Sequence, residues 1–92
     1  MISTDAALAL QECRGRIDAL DEQILALLNQ RAAIASEIGK TKAAAGLPIV
    51  ELSRERTVIE GMVKRSSGPL EPGAVERIYA AVMLEMRRLQ QP

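Results

Sequence analysis

Ninety-two residues carrying twelve acids against twelve bases fit one domain spanning 1–92 and argue against a basic nucleic-acid surface or a polybasic membrane anchor. Fourteen residues are alanine and Tyr79 is the only aromatic, so large core side chains are scarce and subunit association is expected as a second source of burial. With no histidine and one cysteine, Cys13, a Ser-His-Asp triad and a disulfide framework are excluded, and a transition-metal site is argued against.

The first predicted element is a helix from Thr4 or Asp5, either of which can cap free amides, to about Ala45. Gly46 and then Pro48 supply its stop, whereas Gly15 and Gly39 weaken it without ending it. Leu10, Cys13, Ile17, Leu20, Ile24, Leu27, Arg31, Ile34 and Ile38 recur at alternating spacings of three and four, the mark of a face buried against another helix. Cys13 in that row reads as a buried thiol rather than a nucleophile. Arg31 needs an anionic partner there, because an unpaired buried guanidinium is strongly destabilising. Lys42 lies about three turns further on, nearly on the same face. Two cations facing a packed interior suggest a pocket for a small anion.

A helix of about 40 residues would be roughly 60 Å long, more than a domain this small is wide. Two short helices cannot cover its apolar row, so the row is expected to pair with a second copy of itself. Arg14 and Arg31 stand about 25 Å apart along such a helix and about 100° around it, too far for one small ligand. In an antiparallel pair crossing near Leu25, Arg14 of one copy falls opposite the midpoint of Arg31 and Lys42 of the other.

Leu47 to Val50 reads as an extended link, and a second helix runs from about Glu51–Ser53 to about Lys64–Ser67. Leu52, Glu55, Ile59 and Met62 share a face, so Glu55 interrupts an apolar stripe, with Arg54 and Arg56 flanking it to hold it ionised. Ser66 to Pro69 form a break, and Pro72 suits the first turn of a third helix. That helix carries Val75, Ile78, Tyr79, Val82, Met86 and Leu89 on one stripe, with Gln90 at the edge of its buried face. All-α, with three helices, is the predicted fold class. Met1 to Leu10 lack the features of a secretory signal, and no run approaches the roughly 20 apolar residues of a membrane span, so a cytoplasmic protein is expected.

Each polar position also has a plainer reading. Arg14 and Gln90 fit solvated helix residues, and Arg31 could pair with Glu37. Lys42 and Glu55 each suit the dipole of the helix end they occupy.

Together these positions resemble the all-helical, AroQ-type chorismate mutase family. The matching text is Arg14-Gly-Arg-Ile-Asp-Ala-Leu-Asp21, Leu27-Leu28-Asn-Gln-Arg31 and Ile38-Gly39-Lys40-Thr41-Lys42, followed by Pro48-Ile-Val-Glu-Leu-Ser-Arg54-Glu55-Arg56, Gly68-Pro69-Leu70 and the closing Leu89-Gln90. The likeness runs from about Leu8 to Gln91, in order and with family-like spacing. It implies an intertwined antiparallel homodimer and the [3,3] rearrangement of chorismate to prephenate, without a cofactor. It further implies that Arg14 of the partner copy and Arg31 clamp the substrate carboxylates, that Lys42 and Gln90 donate to the ether oxygen, that Glu55 accepts from the ring hydroxyl, and that Arg54 supports the site.

Two positions depart from the family pattern. Met86 stands where a small hydroxyl residue near a carboxylate is frequent, and Glu51 where an aspartate is common; weaker substrate binding is expected rather than lost chemistry. Isochorismate pyruvate-lyase, which shares the fold and the basic trio, is the nearest alternative. A non-catalytic regulatory or dimerisation module, fused to or complexed with another shikimate-pathway enzyme, is a second. A plain helical adaptor would explain the apolar rows but not the cations within them.

Overall fold

The computed structural model describes residues 3–91, in the order α1 (Thr4–Ala45), α2 (Leu52–Arg65) and α3 (Pro72–Gln90), with no strand among the described residues. None of these helices is long and apolar enough to cross a membrane. The chain divides into two units at the Arg31–Ala32 junction, inside α1.

α1 is capped by Ser3, one residue before Thr4 and two before Asp5, the expected caps. The amide of Ala6 donates to Ser3 Oγ at 3.1 Å, and that of Ala7 to the Ser3 carbonyl at 2.9 Å. Thr4 and Asp5 already lie inside the helix, where Asp5 meets the positive end of the dipole. The other end closes as Gly46 and Pro48 foretell. Gly46 takes a left-handed φ of +68°, its amide donates to the Ala43 carbonyl at 3.3 Å, and the amide of Leu47 reaches back to Lys42 at 2.8 Å. This is a Schellman closure, which satisfies the last carbonyls and turns the chain sharply.

In the N-terminal unit the apolar row is uncovered within the chain. Leu10, Ile17, Leu20, Ile24 and Leu27 are between 41% and 62% exposed, and Cys13 is exposed with them, so the burial expected of that thiol is not met inside one chain.

The C-terminal unit holds the core. Ala35, Gly39 and Lys42 of α1 are buried, as are Val75, Met83 and Met86 of α3. Ile34 and Ile38 stay exposed, because α1 turns its small residues, not its isoleucines, to the inside. On α3 the buried arc likewise differs from the expected stripe: Met83 is at its centre, while Ile78 and Leu89 are nearly half exposed. The arc is rotated toward Met83 and Gln90, and that rotation carries Gln90 inward. α2 buries no residue fully; Glu55, Val58, Ile59 and Met62 are half-buried along one face. It packs on α3, with Glu55 near its start bonded to Arg87 near the end of α3, so the two run antiparallel. Pro72 opens α3 in the first turn as expected.

Candidate active site

Lys42 is the only charged residue among the described buried ones, 8% exposed in the last turn of α1. An ammonium has three N–H donors, and here three acceptors meet it. Nζ donates to the Ile49 carbonyl at 2.9 Å, to Gln90 Oε1 at 2.8 Å and to Glu51 Oε1 at 2.7 Å. Among the described residues no buried side-chain nitrogen or oxygen lacks a partner. The three acceptors come from two places. The Schellman turn brings back the link that carries Ile49 and Glu51, and the end of α3 brings Gln90. Glu51 is the N-cap position of α2, but its carboxylate makes no capping bond because it is turned to Lys42.

Gln90 reaches Lys42 because nothing stands between α1 and the last turn of α3. Gly39, one turn before Lys42, offers no side chain, and the backbone of Gln90 occupies the space a Cβ would need. With its oxygen on an ammonium, the Gln90 amide keeps its NH2 as a donor for another group. Beside this cluster, Ile34, Glu37, Ile38, Thr41 and Lys42 line an open hollow of about 330 Å³.

Glu55 is held from α3, not by its neighbours. Arg87 grips it with both prongs, Nη2 to Oε1 at 2.6 Å and Nε to Oε2 at 3.1 Å. Arg54 and Arg56, expected to hold this carboxylate, are exposed on α2. The reason is directional: side chains one position away on a helix point to other faces, whereas a facing helix can aim straight across. The hydrogen bond to Glu55 raises the pKa of the Arg87 guanidinium, partial burial opposes this, and the charge of Glu55 adds to the rise. Both helix dipoles favour the pair, with the carboxylate at the start of α2 and the cation in the last turn of α3. Arg87 was legible in principle. An acid interrupting the α2 stripe requires a cation on the facing stripe, and Arg87 lies one turn after buried Met83.

Of the sequence-derived positions, then, Lys42, Glu51 and Gln90 meet in one cluster, and Glu55 is fixed by Arg87. Met86 is 6% exposed and belongs to the core of the C-terminal unit. Arg14 and Arg31 lie in the N-terminal unit, the first exposed and the second half-buried. Among the described residues no group of three or more His, Cys, Asp or Glu side chains is arranged to hold a metal ion.

The family model for chorismate mutase type II matches residues 13–91. A bifunctional chorismate mutase/prephenate dehydratase of Aquifex aeolicus (strain VF5) is 47% identical over 78 residues, covering 80% of this chain and 22% of that protein. The protein of the same description in Escherichia coli (strain K12) is 41% identical over 63 residues, covering 68% and 16%. The chain therefore spans about a fifth of the length of these relatives. In fold, a chorismate mutase from Thermus thermophilus superposes with a TM-score of 0.87 at 23% identity, covering 89% of this chain and 93% of that one. A conserved hypothetical protein from Pyrococcus furiosus gives 0.73 at 31% identity, covering 98% and 100%. Since the matched stretch includes every residue that builds the Lys42 cluster and the Glu55–Arg87 pair, the chain belongs to the chorismate mutase type II family.

Proposed function

We propose that this chain catalyses the rearrangement of chorismate to prephenate in the cytoplasm, within aromatic amino-acid biosynthesis, as an antiparallel homodimer. The observation that carries the reading is the buried ammonium of Lys42 bonded to the Gln90 amide at 2.8 Å. Two N–H donor groups are thereby held side by side. As the substrate's C–O bond breaks, its ether oxygen gains negative charge, and donors aimed there bind the transition state better than the ground state. One such donor typically contributes about 3 kcal/mol, on the order of a hundredfold in rate.

The other roles follow the family pattern. Arg31, with Arg14 from the second copy, clamps the two carboxylates by planar guanidinium forks, which selects the folded conformer in which the reacting carbons approach. Glu55 accepts the ring hydroxyl, Arg54 supports the site, and Glu51 occupies one Lys42 donor until the ether oxygen takes its place. Met86 offers no hydroxyl to a carboxylate, so affinity is reduced there. No step calls for a cofactor. The uncovered apolar row from Leu10 to Ile38 supports the dimer, since association would remove it from water. The bifunctional relatives support a further link, in one chain or as a complex, to a second shikimate-pathway activity.

The test incubates the protein with chorismate and, separately, with isochorismate, follows prephenate formation and pyruvate release, and is run beside Arg31→Ala and Lys42→Ala. The reading expects prephenate from the unaltered protein and about a hundredfold slower turnover in each variant. Pyruvate release from isochorismate in place of prephenate would favour the lyase. Unchanged turnover in both variants would remove the site assignment.

A further inference from the structure

The geometry points to Arg87 as a positioning residue that fixes Glu55 for the hydroxyl-bearing face of the substrate, an inference that rests on the chorismate mutase reading above. Glu55 is a flexible side chain near the start of α2, and a carboxylate that must accept one hydrogen bond in one direction needs its rotamer fixed beforehand. Arg87 does this with a two-point grip of 2.6 and 3.1 Å from the opposite helix. A single contact would leave the carboxylate free to swivel; two parallel ones set its plane. The side chains are 20% exposed for Glu55 and 28% for Arg87, so the pair is largely shielded but still accessible. Each carboxylate oxygen still has a second lone-pair direction, so the grip leaves Glu55 able to accept from a hydroxyl.

Arg87 acts through Glu55 and touches no reacting atom. Its effect should therefore depend on the substrate's hydroxyl, which takes no part in the bonds that break and form. A purely structural arginine would affect all substrates alike.

The experiment compares the unaltered protein, Arg87→Met, Arg87→Lys, Glu55→Ala and the double variant Arg87→Met/Glu55→Ala. Each is assayed on chorismate and on an analogue lacking the ring hydroxyl. Arg87→Met keeps the length of the side chain and removes both donors. It is expected to raise KM for chorismate about tenfold with a smaller change in kcat, as loss of binding shared by ground and transition states requires. The analogue should react at the same kcat/KM as with the unaltered protein. The double variant should be no worse than Glu55→Ala alone, because the two residues act as one unit. Arg87→Lys, with charge but no fork, should fall between. If Arg87→Met does not fold, Arg87→Lys decides by the same substrate contrast. Equal losses on both substrates, or additive losses in the double variant, overturn the inference while leaving the mutase reading standing. An unaltered protein that makes no prephenate overturns that reading itself.

Discussion

Gly39 lies so close to Gln90 that a Cβ at position 39 would stand 2.6 Å from both the Cα and the carbonyl oxygen of Gln90. These are backbone atoms, which cannot swing aside as a side-chain tip can. The spacing of α1 from the end of α3 is thus set by the absence of one methyl group, and with it the reach of the Gln90 amide to Lys42.

Gly39→Ala tests this. Alanine gains up to about 1 kcal/mol over glycine in a helix interior, but forcing two backbones apart typically costs about 1 to 3 kcal/mol. The variant should melt lower, and its turnover should fall further than its stability does, because Gln90 is pushed off Lys42. Gly15→Ala is the control: nothing lies within 4 Å of a Cβ there, so it should hold or raise the melting temperature. Equal melting temperatures for both variants would contradict the close approach.

Gln90 donates in the same state at any ordinary pH, so no acid optimum should arise from this position. A glutamate in its place must first take up a proton, and the neighbouring ammonium opposes that. Gln90→Glu should be about a hundredfold slower near neutrality and recover as pH falls. A steep acid rise in the unaltered protein would count against Gln90 as the donor.

Lys42 has all three donors engaged, and Glu51 is the most exposed of its acceptors, its side chain 49% accessible. An incoming ether oxygen is expected to displace this partner. Glu51→Ala should lower the melting temperature, because the Lys42 ammonium, its side chain 11% exposed, is left with two acceptors, and should lower KM by removing the competitor. A raised KM would mean that Glu51 serves the substrate directly.

The proposed supply of Arg14 from the second copy can be read by mixing inactive subunits. Arg14→Ala and Lys42→Ala homodimers should each be slow. A mixed dimer of the two has one intact site if Arg14 serves its partner and none if it serves its own chain. Random reassembly should therefore restore about a quarter of the unaltered rate, half the sites in half the dimers.

Helix existence and ends were readable because they depend on local chemistry: Gly46, Pro48 and Pro72 act where they stand. Ser3 was missed as the cap of α1 because three capping residues follow one another, and only geometry decides which one faces the free amides. Lys42 and Gln90 were readable as odd polar groups on apolar faces. Their meeting, 48 positions apart in the chain, came from the family likeness, since no periodicity links different helices. Arg87 stayed hidden because a cation near a helix C-terminus has an ordinary explanation, and its partner is on another helix. Met83 lies outside the predicted stripe because the periodicity of one helix does not say which neighbour sets the centre of its buried arc.

The two connections between helices are each six residues long, Gly46 to Glu51 and Ser66 to Glu71, yet they carry unequal burdens. The first lends a carbonyl and a carboxylate to the ammonium at fixed offsets from the turn; one inserted residue would bring the wrong groups there. The second makes no bond to Lys42, Gln90, Glu55 or Arg87. Loop grafts, tags and length variation therefore belong in the α2–α3 connection, where they leave the ammonium's surroundings alone.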